Sequence, residues 1–141
     1  MFQYYKDVVL NSVEGVKPID AYTEMGEATK ALLSAYSDEE AAVAMNGYMS
    51  FGTAGLRAKM GAGTALMNTY TVAHATAGLA MLIKSLGDEA VARGVAIAYD
   101  SRNNSEIFSK RCAEVLSAFG IKVYLYPALR PTPCLSFALR E

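Results

Sequence analysis

The 141 residues hold only two cysteines, four prolines and one histidine. Cys112 and Cys134 lie in apolar-patterned segments without metal-ligand spacing. That excludes a disulfide framework and a cysteine zinc site, leaving a packing role in a reducing compartment. An excess of either charge is also missing: 13 basic residues face 14 acidic ones, for a net charge of −1. The electrostatic footprint of a nucleic-acid binder is therefore absent. The one basic pair, Lys110-Arg111, reads as a solvated helix face. No apolar run approaches the length of a membrane span. Residues 1–7 (Met-Phe-Gln-Tyr-Tyr-Lys-Asp) lack the charged-then-apolar layout of a signal peptide, so the expected location is cytoplasmic. Internal repeats, low-complexity tracts and linkers are absent as well.

What remains is an ordinary globular balance, 52% hydrophobic and 19% charged, in a length that suits one domain with a real core. Residues 1–50 read as a helical extension. Within it, Ser37-Asp38-Glu39-Glu40 is a capping box that opens the helix-forming run Ala41 to Met45, while Gly15 and Pro18 break the chain earlier. Gly52, Gly55, Gly61 and Gly63 then crowd around Arg57 and Lys59, which predicts a loop or distorted hairpin over residues 51–68.

Regular elements follow. Val72, Ala75, Leu79, Leu82, Ile83 and Leu86 keep helical spacing, with Gly87 closing the stretch. Residues 95–99 form a short apolar run of the buried parallel-strand type. Ser105 is placed to cap a second amphipathic helix that uses Ile107, Phe108, Cys112, Val115, Leu116 and Phe119 and stops at Gly120. Residues 121–126 alternate as a strand, and Pro131-Thr132-Pro133 opens a last helix. This order predicts an α/β fold, a layered α/β/α unit with a short parallel or mixed sheet. Ligand crevices of such sheets lie beyond the carboxyl ends of the strands. The loops after the two strands, 100–104 and 127–133, are thus expected to face one.

Two readings of Phe51-Gly52-Thr53-Ala54-Gly55-Leu56-Arg57 are open from the residues alone. Backbone amides exposed by Gly55, the Thr53 hydroxyl and the Arg57 guanidinium make an anion site, with Lys59 close by in sequence. The same segment also serves as a tight turn with a surface arginine. It is not a Walker A loop, and Gly61-Ala62-Gly63 does not extend to a dinucleotide fingerprint.

Three ordered segments decide between them. Residues 51–57 with Met60-Gly61-Ala62-Gly63 and Met67-Asn68, then Ala98-Tyr99-Asp100-Ser101-Arg102 with Asn104-Ser105, then Pro131-Thr132-Pro133, together resemble the start of the α-D-phosphohexomutases. These are the phosphoglucomutase and phosphomannomutase enzymes, in particular the phosphopentomutase-like branch. The resemblance implies that residues 51–141 are the first part of a four-domain enzyme's first domain. That domain's phosphorylated serine lies in a Thr-Ala-Ser-His-Asn-Pro type segment beyond the Pro-Thr-Pro, and this sequence reaches Glu141 before such a segment. His74, in a helical pattern, does not replace the missing Ser-His pair.

By that resemblance the full-length enzyme transfers a phosphoryl group within a sugar phosphate, through a phosphoserine and a bisphosphate intermediate. Mg2+ sits against the phosphoserine and an aspartate loop, neither of which is in these residues. The chain alone is expected to turn over nothing and to hold no cofactor. Arg57 is the expected catalytic cation, with Thr53, Gly55 and Lys59 shaping the phosphate loop. Ala58 stands where the family often has glycine, Leu66 where relatives often carry arginine or another polar residue, and Asn103 where they commonly show histidine.

Asp100 and Arg102 carry two readings, as groups facing the crevice or as a pair holding its rim. Cys134 and Arg140 match the bare Cys-x5-Arg spacing of a cysteine phosphatase loop, but the interval is apolar and free of glycine, which suits a helix. The functional alternative is a free-standing phosphate- or nucleotide-binding α/β module. An open sheet edge would also offer a route to self-association.

Overall fold

The computed structural model describes residues 31–139. The expected breaks at Gly15 and Pro18, and Arg140 of the Cys-x5-Arg spacing, lie outside the described residues. The described residues fall into two compact units, which part between Val72 and Ala73; residues on both sides of position 50 lie in the first.

In the first unit, residues 31–35 are helical and Tyr36 follows directly. The capping box forms as read: the Glu40 N–H donates to Ser37 Oγ at 3.2 Å and the Ser37 N–H to Glu40 Oε2 at 2.9 Å. It starts helix α1, Asp38–Ala44, and settles two of the amide donors that a helix start leaves over. These hydrogen bonds hold the Glu40 carboxyl below its ordinary range. The glycine-rich segment is indeed a hairpin, with strands β1 (Phe51–Gly52) and β2 (Gly55–Leu56) paired antiparallel.

Helix α2, Thr69–Ser85, begins three residues before the first apolar position of its spacing, and it spans the division between the units. In the second unit its buried positions are Ala73, Ala77 and Ala80, together with Thr76. Leu79, Leu82 and Leu86, prominent in the sequence pattern, are 45%, 57% and 68% exposed. The small side chains admit close approach of the neighbouring elements, and the leucines fall on the other side.

Strand β3, Val95–Ile97, pairs in parallel with β4, Val123–Leu125, in the register Val95↔Val123 and Ile97↔Leu125. Both strands are shorter than the apolar runs that announced them. Between α2 and β3 lies a helix the pattern did not show, α3 (Asp88–Arg93), bounded by Gly87 and Gly94. Six residues are too few for a periodicity to declare itself. Helix α4, Ser105–Ala118, connects the strands. Its core residues Val115 and Leu116 pack with Ala73, Ala77, Ala80 and Ile121, while Ile83, Val91, Val95, Ile97 and Val123 close around them. Burying a side chain such as Leu116 stabilises by about 1.5–3 kcal/mol. The α/β fold class is as expected, with parallel strands joined through a helix.

Two local expectations on α4 resolve differently. Its cap is Asn104, in the left-handed region at φ 62°, and Ser105 is the first helical residue. The Ser105 hydroxyl instead accepts the Asp100 N–H at 3.2 Å. Arg111 is buried rather than solvated, and donates to Glu114 Oε2 at 3.0 Å. Residue 111 precedes Val115 by four, so the two share a helix face. Lys110 is exposed as expected and bonds Glu106 at 2.7 Å. The stop at Gly120 holds: Ile121 N–H reaches Leu116 C=O at 3.0 Å and Gly120 N–H reaches Ser117 C=O at 2.9 Å, a Schellman closure. The final helix α5, Thr132–Ala138, begins after Pro131. Cys134 lies on it, so no phosphate-wrapping loop forms there.

Candidate functional site

Two places carry the sequence-predicted residues, one in each unit. In the first unit, Gly52↔Gly55 closes the hairpin, leaving Thr53 and Ala54 as its two-residue turn. Gly55 takes φ +105°, which a side chain disfavours. Thr53 at the tip, Arg57 just past β2 and Lys59 are all exposed, and Gly55 is half-exposed. Among the described residues no ion pair or hydrogen bond engages the Arg57 or Lys59 side chains. Two cations are thus presented within three residues directly after a short, glycine-shaped hairpin, without an acidic partner among the described residues.

The chain that follows is tied down closely. The Met67 N–H donates to the Lys59 carbonyl at 2.8 Å and the Gly61 N–H to the Met67 carbonyl at 3.1 Å. The Ala62 N–H donates to the Tyr36 hydroxyl at 3.1 Å, and the Ala65 N–H to the Ala44 carbonyl at 3.0 Å. At the centre sits Asn68. Its carboxamide NH2 faces the carbonyls of Gly61 (2.8 Å), Gly63 (2.9 Å) and Leu66 (3.2 Å). Its Oδ1 accepts the N–H groups of Tyr70 (3.1 Å) and Thr71 (3.0 Å), capping the first turn of α2. The Thr71 hydroxyl answers by accepting the Asn68 N–H at 3.0 Å and donating to Leu66 C=O at 2.8 Å. Because the three carbonyls and the two N–H groups around it are backbone groups of fixed character, the amide has one consistent orientation.

In the second unit, Asp100 and Arg102 are brought together. Arg102 Nε lies 2.8 Å from Asp100 Oδ2, and the Arg102 N–H donates to Asp100 Oδ1 at 3.1 Å. That backbone hydrogen bond, ahead of the Ser105 and Arg102 side chains, holds the Asp100 carboxyl below its ordinary range. The two loops beyond the strands also meet: the Tyr126 N–H extends the ladder to Ile97 C=O at 3.0 Å, and the Arg130 N–H reaches Tyr99 C=O at 2.9 Å. His74 lies on α2 and is exposed, as its helical pattern implied. Cys112 receives the Thr76 hydroxyl at 3.2 Å, and burial pushes its thiol up, as suits packing rather than nucleophilic chemistry.

Among the described residues no three His, Cys, Asp or Glu side chains cluster so as to hold a metal ion. They do not fit the magnesium that the resemblance implies for the full-length enzyme. No helix among the described residues is long and apolar enough to cross a membrane.

The residue that sequence reasoning missed is Asn68 in its structural role. Its signal was present, an asparagine directly before a helix with a hydroxyl residue three places on.

Comparison with known proteins agrees with the α/β fold. The family model for phosphoglucomutase/phosphomannomutase, alpha/beta/alpha domain I, matches residues 48–141. A phosphoglucomutase of Staphylococcus epidermidis is 40% identical over 104 residues, covering 74% of this chain and 18% of that protein. A phosphopentomutase of Pongo abelii is 33% identical over 119 residues, covering 80% of this chain and 19% of the relative. A probable phosphoribomutase of Schizosaccharomyces pombe is 38% identical over 96 residues, covering 68% and 16%. This chain therefore spans less than a fifth of the length of these relatives. No solved structure gives a significant match. The chain belongs to the phosphoglucomutase/phosphomannomutase family, within its α/β/α domain I.

Proposed function

We propose that this chain supplies one wall of a phosphoryl-transfer site in a phosphosugar mutase, with the Arg57 hairpin as its anion-binding element. The observation that carries this is the pair of exposed cations, Arg57 and Lys59, with no ion-pair partner among the described residues, at a hairpin whose following loop is tied by the hydrogen bonds of Gly61, Ala62, Ala65 and Met67. A planar guanidinium matches phosphate oxygens in a bidentate fork, and a lysine adds a compact charge. A transferring phosphoryl spreads negative charge over its oxygens, so catalysis rests on positioning and charge stabilisation. Arg57 meets that charge, while Thr53 and the amide flanking Gly55 complete the donor set. The substrate class is a sugar phosphate, hexose or pentose, as the relatives' names suggest. The serine, the metal and the sugar-binding groups of the reaction come from outside these residues, and a cytoplasmic location fits the sparse cysteines. Membership of the domain family favours this over a free-standing nucleotide-binding module.

The test is a chimera. The matched stretch of the Staphylococcus epidermidis phosphoglucomutase is replaced by the matching stretch of this chain, and glucose 1-phosphate isomerisation is followed. The chimera is expected to turn over, and Arg57→Ala within it to lower kcat/KM by about tenfold or more. A folded, active chimera that is indifferent to Arg57→Ala would return the arginine to a surface role.

A further inference from the structure

Asn68 serves two structures at once. Its oxygen caps the first turn of α2 through Tyr70 and Thr71, and its nitrogen gathers the carbonyls of Gly61, Gly63 and Leu66. A helix cap needs only the first half: serine, threonine and aspartate perform it equally well, and none of them carries an NH2. The second half therefore answers to something other than the helix. The carbonyls it gathers belong to the loop that is laddered through Met67 onto Lys59 and Gly61. Three carbonyl oxygens converging on one point repel one another; the Thr71 hydroxyl also serves that of Leu66, while the two protons of the Asn68 NH2 hold those of Gly61 and Gly63. Aspartate would replace that donor with a charge of the wrong sign.

We propose that Asn68 is a positioning residue for the phosphate hairpin, fixing through its NH2 the loop that sets the backbone at Lys59 and hence the exit from Arg57. The proposal rests on the reading of that hairpin as a phosphate site. It extends that reading by assigning the site's geometry to a side chain that never touches the anion. A loop fixed in advance binds with less ordering cost than one that must be arrested on contact.

The variants Asn68→Ser and Asn68→Asp separate the two halves, since each keeps an acceptor for the helix amides and neither keeps the NH2 with its two donors, the serine hydroxyl being a single, shorter one. The experiment uses the full 141-residue chain with inorganic phosphate as the probe. Amide chemical shifts over residues 52–61 give the dissociation constant, and hydrogen exchange is read at the Gly61, Met67 and Thr71 amides. The expected result is exchange about tenfold faster at Gly61 and Met67, unchanged protection at Thr71, and phosphate binding weakened about fivefold in both variants. The uncharged serine is decisive, because aspartate also repels the anion directly.

If the unsubstituted chain shows no saturable shift with phosphate, the phosphate-site reading falls and this inference falls with it. Phosphate binding that is equal in the unsubstituted chain and in Asn68→Ser overturns the positioning role alone and leaves the phosphate reading standing. Loss of Thr71 protection or of the fold in both variants also overturns it, for Asn68 would then be holding the helix rather than the loop.

Discussion

Replacing Gly63 with alanine should damage the loop behind the hairpin far more than the same change at its neighbours. Gly63 takes φ +138°, and a β-carbon there would be driven into the backbone of Ala44. The struck carbonyl cannot simply withdraw, because it accepts the Ala65 N–H at 3.0 Å. Three costs combine: backbone strain of about 1–2 kcal/mol, overpacking of about 1–3, and about 1 for the disturbed hydrogen bond. The whole is about 3–6 kcal/mol, enough to release the loop. Two controls isolate the parts. Gly47 also has positive φ, +80°, but a β-carbon there meets nothing within 4 Å, so Gly47→Ala pays strain alone, about 1 kcal/mol. A β-carbon on Gly61 would lie 2.8 Å from Leu66 Cδ1 and 2.9 Å from the Tyr36 hydroxyl. The Leu66 end can shift, but the Tyr36 hydroxyl accepts the Ala62 N–H at 3.1 Å, which puts Gly61→Ala at about 1–2 kcal/mol. Two units make a single melting transition a poor measure, so opening free energies should be read from amide exchange across residues 59–67. A Gly63→Ala loop opening within about 0.5 kcal/mol of the Gly47→Ala value would refute the collision with Ala44 as the reason for glycine.

Two further outcomes follow from the core and from the cap. Leu116→Ala removes a side chain that is 1% exposed in the cluster it forms with Ala80 and Ile121, and should cost about 3 kcal/mol in urea unfolding followed through residues 95–97 and 115–125; a loss under about 1 kcal/mol would mean the site collapses freely. The Glu40 carboxyl is held below its ordinary value in the fold, so its contribution is present above the unfolded-state pKa and is lost as pH falls through the lowered one. Protection over residues 38–44 should therefore fall on acidification below the ordinary carboxylate range, and a Glu40→Gln variant should remove that part of the pH dependence.

Features carried by neighbours three or four apart were legible in advance. The Ser37–Glu40 box, the Gly120 stop and the hairpin around Gly52 and Gly55 depend on contacts within a turn, and the sequence displays such contacts directly. The two cations of the hairpin were legible for the same reason. What escaped depends on distant partners. Gly63 is set by Ala44, nineteen positions earlier, and the Asn68 carboxamide by carbonyls two, five and seven positions back. Arg111 looked like half of a surface basic pair because adjacent residues share a composition but not a helix face. The strand runs were overlong for a related reason: an apolar segment shows what can be buried, whereas the ladder ends where a partner strand turns away.

The alanine seam of α2 has a consequence for anyone mapping this helix by substitution. Ala73, Ala77 and Ala80 close the core with single methyl groups, so there is almost nothing to trim and no room to add. Alanine scanning, the usual instrument for finding important side chains, is blind here by construction, since the critical positions already hold the scanning residue. It would interrogate Leu79, Leu82 and Leu86 instead, which contribute little to that seam. The informative experiment runs the other way, by enlargement: one extra methylene at position 77 or 80 pries at the core, while the conspicuous leucines can be exchanged for polar residues at small cost.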